Sequence, residues 1–152
     1  MAWFFLRRRK RISGREIQQQ ENYLFGQGQL EINRLDLQHF MFRWEFDGDY
    51  SAPLRNPLAI LDVACGTGRW AREMARRFPN ATVFGFDNNR EQIDRSIAEG
   101  IKRGETLPDN CTFLVGDALR PFEFADSSFQ FVMARANSAY VPIDRWPALL
   151  AE

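Results

Sequence analysis

Apolar residues in this chain come in short runs separated by polar stretches, and the rhythm changes near residue 58. Upstream, Leu30, Leu37, Met41 and Trp44 fall along one helical stripe, widened by Ile32, Leu35, Phe40 and Phe42. A helix is therefore expected over about 29–47. Asp47-Gly48-Asp49-Tyr50-Ser51-Ala52-Pro53 breaks that pattern and Asn56-Pro57 closes a linker. Strands are then expected at 58–63, 82–86, 112–115 and 129–134, with helices at 69–78 and 90–103, the second stopped by Gly104. The stretch 119–128 reads as loop, and 146–152 as the start of a further helix. Strands alternating with helices at this spacing predict an α/β fold with a mostly parallel sheet flanked by helices. Residues 1–57 form an N-terminal tail and helical extension, and 58–152 the α/β domain.

Composition narrows the partners. The 152 residues are 45% hydrophobic and 26% charged with a formal net charge of zero, so nothing global points to nucleic acid. The basic run Arg7-Arg8-Arg9-Lys10-Arg11 reads as a solvated tail. No segment approaches the roughly 20 apolar residues of a membrane span. Met1-Ala2-Trp3-Phe4-Phe5-Leu6 precedes its basic run, the reverse of a secretory signal, and a cytoplasmic location is expected. Cys65 and Cys111 make neither a disulfide framework nor a zinc site, and no metal is expected.

Candidate chemistry gathers at the expected strand ends. Ile60-Leu61-Asp62-Val63-Ala64-Cys65-Gly66-Thr67-Gly68 carries an apolar run through an aspartate into a Gly-x-Gly bend that opens a helix. Glycines there let backbone approach a ligand, beside the positive end of the helix. Asp87 follows about twenty residues later, where a second-strand carboxylate meets ribose hydroxyls. Asp117 closes the third strand, next to small Ala118. Ligands of such sheets bind beyond the carboxyl ends of the strands, so the three acids are expected around one crevice. Gly66-x-Gly68-x-x-Ala71 also fits a dinucleotide fingerprint. A pyrophosphate dianion would be repelled by Asp62, however, whereas an ammonium or sulfonium would be attracted. Asp117 beside Ala118 suits an adenine amino group. The pattern favours S-adenosylmethionine over NAD.

On these residues the chain resembles the class I, Rossmann-like S-adenosylmethionine-dependent methyltransferases. ILDVACGTGRWA resembles their glycine-rich motif, VFGFDNN their second-strand acidic motif, and FLVGDALRPFEFADSSFQFVMARANSAYV the block from third to fourth strand. Leu35-Asp36-Leu37-Gln38-His39, preceded by 31–34, resembles the leading helix of a fungal and bacterial subfamily, some members of which are tied to secondary metabolism. The resemblance implies that Asp62 and the bend Ala64-Cys65-Gly66-Thr67-Gly68 hold the methionine moiety. It implies that Asp87 binds the ribose hydroxyls with Asn88 beside the adenine, that Asp117 and Ala118 meet the adenine edge, and that Arg135 lines the pocket near the methyl group. Ala64 replaces the family's first glycine, a change expected to cost little. Gln130 stands where relatives carry aspartate, and is expected to support the sheet rather than touch ligand.

The resemblance also implies methyl transfer to a small-molecule acceptor, with no general base named by the sequence. In the family, further strands follow, so the sheet order 3-2-1-4-5-7-6 is expected here as 3-2-1-4 only. An exposed fourth strand invites self-association, and the chain reads as a fragment of the fold. A module that binds cofactor but needs a partner or the missing half is the alternative. Cys65 reads as a small buried thiol rather than a nucleophile, and His39 as a hydrogen-bonded structural residue on a helix that closes over the cofactor.

Overall fold

A computed structural model of the protein describes residues 29–102 and 104–151. The basic run and the rest of the N-terminal tail lie outside them. Helix α1 spans Gln29–Glu45. Strand β1 (Ala59–Val63) leads to α2 (Arg69–Arg77), β2 (Thr82–Asp87), α3 (Arg90–Lys102), β3 (Cys111–Val115) and β4 (Phe131–Ala134). Two 3-10 turns, Asn137–Ala139 and Ile143–Arg145, precede the short α4, Trp146–Leu149. The sheet is parallel throughout, in the order β3-β2-β1-β4. This is the expected Rossmann-like order. Among the described residues no helix is long and apolar enough to cross a membrane.

Alternation along β1 decides what each face buries. Ile60 points into a cluster with Trp70, Ala71, Met74, Val83 and Cys111, the side covered by α2. Leu61 and Val63 point the other way, into a cluster with Phe86. That second face is covered by the segment before β4, through Phe122 and Phe124 of the expected loop and Phe129, which was expected in the strand but precedes it. The rings of Phe124 and Phe129 meet edge-on at 4.9 Å, and those of Phe86 and Phe122 at 5.2 Å. Edge-to-face pairs of this kind add to plain area burial. By the same alternation Asp62 shares the α2 side with Ile60, so its carboxylate is driven into the interior.

Two side-chain devices hold the strands in place. Gln130 Oε1 accepts the amide hydrogens of Leu58 at 3.0 Å and Ala59 at 2.7 Å, anchoring the start of β1, as its position implied. Asn110 Nδ2 donates toward the carbonyls of Ala75, Phe78 and Ala81 at 2.8–3.1 Å, closing the carboxyl end of α2.

The helix forms where expected, but its apolar stripe does not pack inward. The stripe Leu30, Leu37, Met41 and Trp44 faces solvent, with Leu30 80% and Trp44 83% exposed. The inward face of α1 carries Ile32 and His39, both buried, with Leu35, Asp36 and Phe42 half-buried beside them. The reason is what α1 lies against. Its partner is the polar rim of the glycine bend, so the polar side chains turn inward to meet hydrogen-bonding groups.

Candidate functional site

The bend after β1 is built from left-handed backbone. Ala64, Gly66 and Gly68 all have positive φ, at 54°, 56° and 64°. Glycine adopts such angles freely and alanine does not, so Ala64 costs more here than its small size suggests. Gly68 caps α2, and its amide donates to the Cys65 carbonyl at 2.8 Å. The ring of Phe113 from β3 lies where side chains at Gly68 and Gly85 would have to be.

Helix α1 lies over this bend. Asp36 accepts from the Thr67 hydroxyl at 3.1 Å and pairs with Arg69 at 2.7 Å. Leu35 reaches the open side of Gly66. A pocket remains between α1 and the strand ends, lined among others by Gln38, His39, Asp62, Cys65, Gly66 and Arg135. His39 thus faces the pocket and is also fully hydrogen-bonded, its Nε2 2.9 Å from Glu73 and its Nδ1 2.9 Å from Arg135.

Asp62 is the central charge. It lies within β1, is 5% exposed, and its Oδ2 has no hydrogen-bond partner among the described residues. Burial pushes its pKa up to about 7; Arg135 pulls it down, Asp87 pushes it further up, and the Ala71 amide lowers it. Among the described residues, the Gln92 amide nitrogen near Gly66 and the Arg69 Nε at the start of α2 are also buried without a partner. Buried polar atoms are ordinarily satisfied, so three orphans around one bend mark where a polar ligand fits.

Asp87 ends β2. Its Oδ2 accepts the Gly66 amide and its Oδ1 the Asn89 amide, each at 2.8 Å. Burial raises its pKa, and the amides of Asn89, Gly66 and Asn88 oppose the rise. A carboxylate has about four acceptor sites, so ribose hydroxyls still find room. Asn88 is exposed beside it.

The remaining expected residues lie further out. Asp117 is two positions past β3, where its Oδ1 accepts the Leu119 amide at 2.9 Å and its Oδ2 lies 3.6 Å from Arg120. The Gly116 amide donates to the Asp87 carbonyl at 3.0 Å, which sets this corner beside the end of β2. Of the three acids expected around one crevice, only Asp62 lines the pocket shared with Arg135; Asp87 and Asp117 lie outside its lining. Ala118 packs against the Leu61, Val63 and Phe86 cluster. Burial pushes the Cys65 thiol far above its ordinary range, with Asp62 and Asp87 adding to it, so no reactive thiolate forms there.

Sequence reasoning missed Asp36, Glu73 and Asn137. Asn137, buried past β4, donates to the Val63 carbonyl at 3.3 Å. A polar residue at helical spacing on an apolar-rich segment was the available signal for Asp36. Ligand atoms of His39, Asp49 and Glu73 lie within 4.8 Å of one another, a spacing that suits a metal ion. Arg43 already lies 3.0 Å from Glu73 and 3.2 Å from Asp49, so a guanidinium supplies the compensating charge.

A parallel 3-2-1-4 sheet with a glycine bend after β1 and carboxylates on β1 and β2 is the Rossmann-like arrangement of class I methyltransferases. Residues 60–152 match the methyltransferase domain family, and the chain belongs to it. Sterol 24-C-methyltransferase of Yarrowia lipolytica is 33% identical over 94 residues, 62% of this chain and 24% of that protein. The secondary metabolism regulator LAE1 of Cochliobolus heterostrophus is 31% identical, across 84% of this chain and 39% of that protein. The YcgJ protein from Bacillus subtilis shares the fold, with a TM-score of 0.52 at 22% identity over 66% of this chain and 41% of that one. The chain therefore spans about a quarter to two fifths of the length of these relatives.

Proposed function

We propose that the chain binds S-adenosylmethionine and transfers its sulfonium methyl group to a small-molecule acceptor. The unpartnered, buried carboxylate oxygen of Asp62 carries this reading, because a cationic ligand group is what it lacks. Asp62 and the bend of Ala64, Cys65, Gly66 and Gly68 take the methionine moiety, and Arg135 lines the same end of the pocket. Asp87 takes the ribose hydroxyls with Asn88 alongside, and Asp117 and Ala118 the adenine edge.

In the transfer, an acceptor lone pair attacks the methyl carbon in line with the carbon–sulfur bond. That bond breaks, sulfur keeps the electron pair, and S-adenosylhomocysteine leaves as a neutral thioether. An acceptor proton goes to solvent or to a base this chain does not specify. The protein's share is orientation, where much of the rate enhancement of such a reaction resides. Relatives named for acting on sterols support a small-molecule acceptor. Calorimetry with S-adenosylhomocysteine tests the reading; absence of binding, with binding of NAD instead, overturns it.

A second reading is favoured by β4, which among the described residues pairs only with β1 and leaves Val132 about half exposed. In it the chain binds cofactor but transfers methyl only when β4 is covered, by a partner or by a second copy. A cytoplasmic setting accords with both readings. Sedimentation that stays monomeric while methyl transfer proceeds would remove the second.

A further inference from the structure

Arg135 is held from three directions. It follows β4, its guanidinium lies 5.2 Å from the centre of the Phe42 ring, and its NH2 group is 2.9 Å from His39 Nδ1. A guanidinium only donates, so His39 Nδ1 must accept and the imidazole proton sits on Nε2. Nε2 in turn lies 2.9 Å from Glu73 Oε2, a carboxylate oxygen that only accepts. Each partner demands the same tautomer. Glu73 is steadied as well: burial raises its pKa, but His39, Arg43 and Arg69 together lower it below the ordinary value. The relay Glu73–His39–Arg135 therefore joins α2, α1 and the segment after β4, and its end point is a guanidinium in the pocket.

Arg135 shares that pocket with Asp62 yet is not spent on it. Its hydrogen bond goes to His39, and Asp62 Oδ2 stays without a partner among the described residues. A cation and an anion kept apart in one cavity match a ligand carrying both charges. The α-amino acid end of S-adenosylmethionine is such a zwitterion. Its ammonium suits Asp62, and its carboxylate needs a donor pair that a planar guanidinium supplies.

We propose that Arg135 receives the ligand's α-carboxylate, and that His39 and Glu73 are positioning residues that aim its guanidinium. The assignment rests on the cofactor reading above. His39 contributes through the acceptor at its Nδ1 position, not through its bulk.

The test compares three nucleosides on the intact chain by calorimetry: S-adenosylhomocysteine, its decarboxylated analogue, and 5′-methylthioadenosine, which lacks the amino-acid arm. The native chain should prefer S-adenosylhomocysteine over the decarboxylated analogue by roughly tenfold to a hundredfold, the range of one charge-assisted interaction. Arg135→Gln should erase that preference while leaving 5′-methylthioadenosine binding intact, which also reports that the variant is folded. His39→Leu and His39→Gln should erase most of it. His39→Asn, which returns an acceptor near the Nδ1 position, should restore it. Preference unchanged in Arg135→Gln, or His39→Asn behaving like His39→Leu, overturns the proposal. Failure of the native chain to bind any of the three nucleosides overturns the cofactor reading itself.

Discussion

The carboxylate of Asp87 accepts the amide hydrogen of Gly66 at 2.8 Å, tying the end of β2 to the glycine bend after β1. One side chain thus shapes the bend and is offered to the ribose. Asp87→Ala should weaken S-adenosylhomocysteine binding by roughly 1–3 kcal/mol, through lost hydrogen bonds to a charged group. It should also lower the melting temperature without ligand, since the Gly66 and Asn89 amides lose their acceptor. Calorimetry and a thermal melt read the two effects separately. An unchanged dissociation constant removes Asp87 from the ribose site.

Asp62 predicts a pH dependence with a definite sign. The unfolded chain releases this proton near the ordinary value of 3.8, whereas burial holds it in the folded protein up to about 7. Between those values the folded state binds more protons, so stability falls as pH rises through the window and levels off above it. The total is on the order of a few kcal/mol, at about 1.4 kcal/mol per pH unit. Urea denaturation should show Asp62→Asn flattening this slope and exceeding the native chain in stability at pH 8. The ligand's α-ammonium favours the ionised form, so S-adenosylhomocysteine should bind more tightly at pH 8 than at pH 6 and release protons on binding. A steeper slope in Asp62→Asn would sink the assignment.

Ala64 sits at φ 54°, where alanine is strained by roughly 1–2 kcal/mol. Ala64→Gly removes that strain but loosens the unfolded chain, and a net gain of about 1 kcal/mol is expected. The midpoint of urea unfolding should rise accordingly. A loss would mean that the alanine methyl group contributes packing that outweighs its backbone strain.

Asn110 offers one amide to three carbonyls at the end of α2. Asn110→Ala should cost about 1–3 kcal/mol, because half-buried carbonyls are left without a donor. Native-state hydrogen exchange should show the loss concentrated in α2 and the start of β2.

Hydrogen exchange also checks β4. As an edge strand paired on one side, it should open at lower free energy than β1, which is paired on both. Equal protection of the two in a monomer would contradict the open-edge description.

The strands and helices were legible because most strand-to-helix switches in this sequence are sharp, while their order in the sheet came from the family resemblance. Gln130 was legible for a similar local reason, lying one residue before β4 and too early to reach a ligand. The inward face of α1 was not. Periodicity sees only that Leu37, Met41 and Trp44 align, and it has no view of Glu73 or Arg135, which lie 34 and 96 residues from His39. Asp62 lies one residue before the end of β1, as the pattern predicts, but its burial was not legible, because a buried carboxylate and an exposed one look alike in sequence. Asp117 turns to the Leu119 amide, a local alternative that its neighbours always offered.

Phe113 fills the room that side chains at Gly68 and Gly85 would need. The spacing of small residues in the bend therefore answers to an aromatic plug from a neighbouring strand as much as to any nucleoside. Enlarging either glycine alone should jam the sheet, and trimming Phe113 alone should leave a hole. Variants of this domain that alter the three positions would have to alter them in concert.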